Sequence, residues 1–220
     1  MATMRPCFDR ELEELQQDIL KMGGIVEQQI YNAVESLVKK DEKLAQKVIE
    51  DDDIVDNMEY MIEDKCVKLI ARQHPLAKDL RFVFTGVKIA TDLERMSDNA
   101  VDIARTTIRL LNQQYIKPLI DIPKMAQLTC EMVKNALDAY INQDIAAAQK
   151  VCDADDEIDE LYSRIFRELL VIMMEDPNTI LQATQLLFVG RYLERIADHA
   201  TNLGEWIIYV VTGEKKELND

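Results

Sequence analysis

Glycine and proline are scarce in this chain, six and five in 220 residues. That leaves little room for strands joined by tight turns or for long disordered linkers. Cysteine is scarce as well. Cys7, Cys66, Cys130 and Cys152 are too far apart for a zinc knuckle or a C-x-x-C redox pair and too few to staple a chain of this size, which suits a reducing cytoplasm. Basic side chains are outnumbered 26 to 41, for a formal net charge of -15. Such a balance opposes nucleic acid and anionic lipid surfaces and favours cations or basic protein partners. Long apolar runs are missing: the longest clear one, Leu169 to Met174, falls far short of the roughly 20 residues of a membrane span. The N-terminus has no charged stretch followed by an apolar one, so no secretion leader is expected and the protein should be soluble. What is present is apolar residues, 48% of the chain, at helical spacing.

The first helix is predicted from Phe8 to about Lys39, its stripe running Leu12, Leu15, Ile19, Met22, Val26, Ile30, Ala33 and Leu37 and interrupted only by Gly23 and Gly24. Asp41 is placed to cap a second helix that ends near His74, because Pro75 disfavours helical geometry in the residue before it. A third helix spans about Lys78 to Asn112. The second half repeats the plan. Asp121 and Pro123 signal a start, Met125 to about Asn142 forms helix four, Asp144 to about Glu175 helix five, and Thr179 to about Thr212 helix six, with Pro177 and Gly213 as punctuation. Short turns between long helices make sequence neighbours antiparallel. The expected architecture is all-α, two tandem antiparallel three-helix bundles over residues 1–115 and 116–220.

The halves also repeat particular acids. Asp52, Asp53, Val55 and Asp56 return as Asp155, Asp156, Ile158 and Asp159, and Leu93-Glu94-Arg95 with Asp98 and Ala100 returns as Leu193-Glu194-Arg195 with Asp198 and Ala200. Apolar spacers alone would rebuild a bundle, so recurrence of the acids points to two copies of one acidic site. Glu94 and Glu194 fall on the packing seams of their helices beside small residues (Ala90, Ser97; Gly190, Ala197), where a carboxylate is costly unless paired or bound to a cation. Folding helix two against helix three near residue 76 brings Asp56 level with the turn from Glu94 to Asp98. Folding helix five against helix six near residue 177 does the same for Asp159 and Arg195. Each half then gathers four carboxylates, Asp52, Asp56, Glu94 and Asp98 or Asp155, Asp159, Glu194 and Asp198, with Asp102 or Asn202 as outer candidates. All-oxygen ligands suit magnesium, calcium or manganese. The competing reading is a solvated acidic face, common in so acidic a chain. Arg95 and Arg195 are expected to pair with local acids, His199 to lie on the surface, His74 to serve a helix end, and the ten methionines and Trp206 to pack in the core.

L-E-R-x-x-D-x-A occurs twice, preceded in each half by D-x-x-[VI]-D on the neighbouring helix. With that pairing, essentially the whole chain resembles the PhoU family of phosphate-transport regulators. The resemblance implies two similar three-helix bundles and E/D-x-x-x-D motifs that bind multinuclear metal clusters, with iron added to the candidate metals. It also implies no catalysis, homodimers, and negative regulation of phosphate uptake through the ATPase subunit of the phosphate ABC transporter and its sensor histidine kinase. The family motif falls on Glu94, Asp98, Glu194 and Asp198, with Asp56 and Asp159 as acids of the neighbouring helices. Ser97 and Asn99 depart from the commoner Gly and His. Two other classes compete: a helical scaffold without metal, and a di-iron oxidase, which needs Glu-x-x-His pairs that neither His74 nor His199 supplies.

Overall fold

The computed structural model describes residues 5–73 and 75–215, so the reading of His74 lies outside it. Among the described residues every regular element is helical: α1 (Arg5–Lys39), α2 (Glu42–Glu50), α3 (Asp52–Gln73), α4 (Ala77–Leu110), α5 (Asp121–Asn142), α6 (Ile145–Asp153), α7 (Asp155–Glu175), a 3-10 turn (Pro177–Thr179) and α8 (Ile180–Thr212). The all-α architecture is as expected. α1 runs unbroken through both glycines, and Gly23 has a structural use: a Cβ there would collide with the Leu137 side chain on α5.

The α1–α2 and α5–α6 corners are copies of each other. Lys40 and Gln143 take left-handed φ values of 54° and 49°, and the next amides, Asp41 and Asp144, donate back to Ser36 O at 2.9 Å and Ala139 O at 3.0 Å, as at many helix C-termini. Each aspartate then caps the helix that follows. Asp41 Oδ1 accepts from Leu44 N, and Asp144 Oδ1 from both Ala146 N and Ala147 N.

The structure corrects two of the six expected helices. Helix two is divided at Asp51 into α2 and α3, and helix five at Ala154 into α6 and α7. At each break the ladder tightens to an i+3 bond, Ile54 N to Asp51 O at 3.1 Å and Glu157 N to Ala154 O at 3.3 Å. Aspartate is a poor interior helix residue but a favourable one in a first turn, where the helix dipole attracts it. Asp52 and Asp53, and Asp155, Asp156 and Glu157, open new helices accordingly. Helix four also begins earlier than Met125, at Asp121, which puts Pro123 in its first turn.

Within each half α1, α3 and α4, or α5, α7 and α8, pack on one another; the halves join where α4 meets α8 and α1 meets α5. Both junctions are antiparallel, as Phe84–Trp206 and Arg109–Gln185 show for the first and Gly23–Leu137 and Glu27–Cys130 for the second. The buried apolar residues form one continuous cluster through both halves. The fully buried Tyr140 of α5 stacks on Phe82 of α4 with ring centroids 4.9 Å apart. Trp206 departs from expectation. It is half-buried rather than core, edge-on to Phe84 and Tyr209, with the ammonium groups of Lys88 and Lys215 over its ring.

Candidate metal centres

In the first half, Asp52 and Asp56 lie one turn apart on α3 and Glu94 and Asp98 one turn apart on α4. The helix hairpin brings them into mutual electrostatic range: Asp52 feels Asp56 and Asp98, and Glu94 feels Asp98 and Asp56. Burial, reinforced by Asp98 and opposed by Arg95, pushes the Glu94 carboxyl up to about 7. Burial raises Asp52 as well, against a lowering hydrogen bond from Ser97. Arg95 pairs locally as expected, Nε 3.3 Å from Glu94 Oε2 and Nη1 3.1 Å from Asp98 Oδ2.

Ser97 Oγ lies 2.8 Å from Asp52 Oδ1 and 2.8 Å from the amide of the buried Gln29. One hydroxyl proton cannot serve two acceptors. Turning the Gln29 amide so that its nitrogen faces Ser97 gives a consistent chain, Gln29 N–H to Ser97 Oγ and Ser97 O–H to Asp52, and that orientation is assigned here.

In the second half, Asp155 and Asp159 on α7 face Glu194 and Asp198 on α8. Glu194 feels Asp198, Asp159 and Asp155, but burial is the main cause that pushes it up to about 7. Burial, then Asp159 and Asp198, push Asp155 up to about 6, and Asp198 is raised chiefly by burial. Glu194 is only 9% exposed. Its Oε1 accepts from Arg191, while its Oε2 and Asp155 Oδ1 are buried with no hydrogen-bond partner. A buried acceptor without a donor costs about 1–3 kcal/mol, more when charged. Oxygens in that state suit a hard cation. Among the described residues no three Asp, Glu, His or Cys side chains already stand as one metal-binding group, so coordination requires the acids to draw together and Arg95 and Arg191 to release them.

Sequence reasoning placed the eight acids and missed their supports. Glu59, half-buried with its carboxyl raised mainly by burial, interacts with Glu94 and is hydrogen-bonded by Thr91. The register that pairs Asp56 with Asp159 puts Tyr162 at Glu59 and Met132 at Gln29; the register that pairs Glu94 with Glu194 puts Arg191 at Thr91. The outer candidates turn elsewhere, Asp102 to Arg105 at 3.1 Å and Asn202 to Asp92 at 3.4 Å. His199 is not a free surface histidine: its Nδ1 lies 2.9 Å from Asp92 Oδ1 on α4, across the junction of the halves, with its side chain 19% exposed. A separate apolar groove of about 550 Å³ between α1 and α5, lined by Tyr31, Val34, Val38 and Cys130 among others, shares no residue with either cluster. Among the described residues no helix is long and apolar enough to cross a membrane.

Fold and clusters together define a class: an internally duplicated helical protein with one acidic cluster per half. The chain belongs to the PhoU family, whose domain model matches it twice, over residues 19–107 and 122–207. It is 48% identical to the phosphate-specific transport system accessory protein PhoU homologue of Clostridium acetobutylicum, with 98% of this chain and 99% of that protein aligned. It is 40% identical to the Rhizobium meliloti homologue of the same name, over 98% and 92%. The crystal structure of PhoU from Pseudomonas aeruginosa superposes with a TM-score of 0.90 at 38% identity, over 94% of this chain and 100% of that one. That of the phosphate transport system regulatory protein PhoU from Streptococcus pneumoniae gives 0.89 at 31%, over 96% and 99%. Proteins so named are accessory and regulatory proteins rather than enzymes, and this chain stands with them.

Proposed function

We propose that this protein is a cytoplasmic, cation-binding adaptor of a phosphate-specific transport system, a negative regulator of phosphate uptake and of phosphate-starvation signalling. It acts as a homodimer on the ATPase subunit of the phosphate ABC transporter and on the sensor histidine kinase, and reaches the membrane only through them. The naming of its relatives supports the transport system. The observation that supports cation binding is the pair of partnerless buried oxygens on Glu194 and Asp155, set among Asp159 and Asp198. A solvated acidic face would not bury Glu194 to 9% exposure.

Glu94, Asp98, Asp52 and Asp56 hold one site and Glu194, Asp198, Asp155 and Asp159 the other, for iron, manganese, magnesium or calcium in multinuclear form. A cation bound there neutralises acids on α3 and α4, or on α7 and α8, and ties each hairpin together. Arg95 and Arg191 carry out that neutralisation in its absence. A chain of net charge -15 then presents a surface on which a basic partner face can dock.

Deletion of the gene is expected to release a phosphate-starvation reporter in phosphate-rich medium, and the tagged protein should co-purify with the ATPase subunit and the kinase. Normal repression with neither association would refute the adaptor. Elemental analysis of wild type against the Glu94→Gln, Glu194→Gln double variant tests the metal independently: bound metal should fall in the variant, and equal negligible metal in both would leave only acidic faces.

A further inference from the structure

The two clusters carry the same four acids on different supports. Beside Glu94 stands a fifth carboxylate, Glu59, held by Thr91. Beside Glu194 the corresponding positions are Tyr162, whose ring packs toward Gly190, and Arg191, whose guanidinium occupies Glu194 Oε1. Asp52 receives the Gln29 and Ser97 chain. In the second half the positions corresponding to Ser97 and Gln29 are Ala197 and Met132, which have no side-chain donor, and Asp155 Oδ1 has no hydrogen-bond partner.

Resting on the reading of these clusters as cation sites, we propose that the two are unequal. The first-half site, with Glu59 as an additional ligand, binds a hard divalent cation more tightly than the second-half site. Two general effects act in the same direction. Affinity for hard cations rises with the number of carboxylates offered. Hydrogen bonds that orient a ligating carboxylate raise affinity, and their loss typically costs about 10–100-fold. The second cluster offers four carboxylates and leaves Asp155 unoriented, and the Arg191 contact it must give up is made to Glu194, its most buried acid. Its partnerless oxygens make it receptive, and it fills second. Two cations favour the opposite order, Arg95 on Glu94 and Asp98 and Arg105 near Asp52; both are more than half exposed, where screening weakens them, and Arg105 is held 3.1 Å from Asp102.

Titration calorimetry of the metal-free, full-length protein with Mn²⁺ tests this. Two classes of site differing by about tenfold or more are expected. Glu94→Gln should delete the tighter class and Glu194→Gln the weaker. Glu59→Gln and Ser97→Ala should each weaken the tighter class by about tenfold and leave the weaker in place. Arg191→Thr should strengthen the weaker class, a gain that misfolding cannot produce. Equal classes, deletion of the weaker class by Glu94→Gln, or unchanged affinity in both Glu59→Gln and Ser97→Ala would overturn the ranking while the cation sites stand. No Mn²⁺ bound by wild type, in calorimetry and after equilibrium dialysis, would overturn the ranking together with the cation reading beneath it.

Discussion

Glu94 and Glu194 hold their protons to about 7, against an ordinary value of 4.5, mainly because burial disfavours the charged carboxylate. Between those values the folded metal-free protein keeps protons that the unfolded chain has released, so stability is greatest below about 4.5 and is lost as pH rises through 7. Asp155, raised to about 6 by burial and by its acidic neighbours, contributes with the same sign. The melting temperature in chelator is therefore expected to fall from pH 5 to pH 8. The Glu94→Gln, Glu194→Gln variant should show a flatter profile, and a wild-type value that rose across this window would contradict the burial of these acids. Tyr140 makes a second case. Its hydroxyl is buried with no hydrogen-bond partner while its ring stacks on Phe82, so Tyr140→Phe removes an unsatisfied group and keeps the packing. Urea unfolding should show no loss, or a gain of up to about 1 kcal/mol. At this scale the sequence made the acids legible because they occur twice in matched register. Glu59, Gln29 and Arg191 sit where the copies differ, and a repeat cannot mark what it does not repeat.

Between residues and whole fold lie the helices, whose ends were easier to read than their interruptions. Asp41 was visible as a cap because a short acceptor side chain precedes the apolar stripe, and it caps as expected; Asp144, read only as the start of helix five, caps in the same way. The breaks at Asp51 and Ala154 were not visible. The apolar stripe resumes on the same face, Val48 and Val55 or Val151 and Ile158 both being buried, so periodicity continues through a turn that hydrogen bonding does not. Asp144 accepts from two amides and Asp41 from one. Asp144→Ala is expected to cost about 1 kcal/mol and Asp41→Ala no more than that, measured by urea denaturation at fixed pH. A close helix contact is read the same way: a Cβ on Gly204 would lie 2.7 Å from Cys152 Sγ and 3.0 Å from Ala148 O, which is backbone. Gly204→Ala must then push α6 away from α8, at about 1–3 kcal/mol in the same assay.

Across the whole molecule, a repeat that matches one family model twice invites a picture of two independent bundles, and the packing argues against independence. One apolar cluster runs through both halves. Tyr140 of the second half lies against Phe82 and close to where a Gly86 side chain would be, both in the first half; Leu137 occupies the space that Gly23 leaves; and Asp92 holds His199 and Asn202 across the junction. Separating the halves would expose α1, α4, α5 and α8 along faces now buried, and each large apolar side chain moved into water costs about 1.5–3 kcal/mol. A half-chain of about 110 residues has a small margin of stability against losses of that kind. The intact protein is therefore expected to unfold in urea as one transition, with circular dichroism and Trp206 fluorescence reporting the same midpoint although the single tryptophan lies in α8. Phe82→Ala, in the first half, should move both signals together by about 3–5 kcal/mol. Two separated transitions, with Phe82→Ala shifting only the circular dichroism component, would show that the halves fold alone and that the shared core adds no coupling between their acidic clusters.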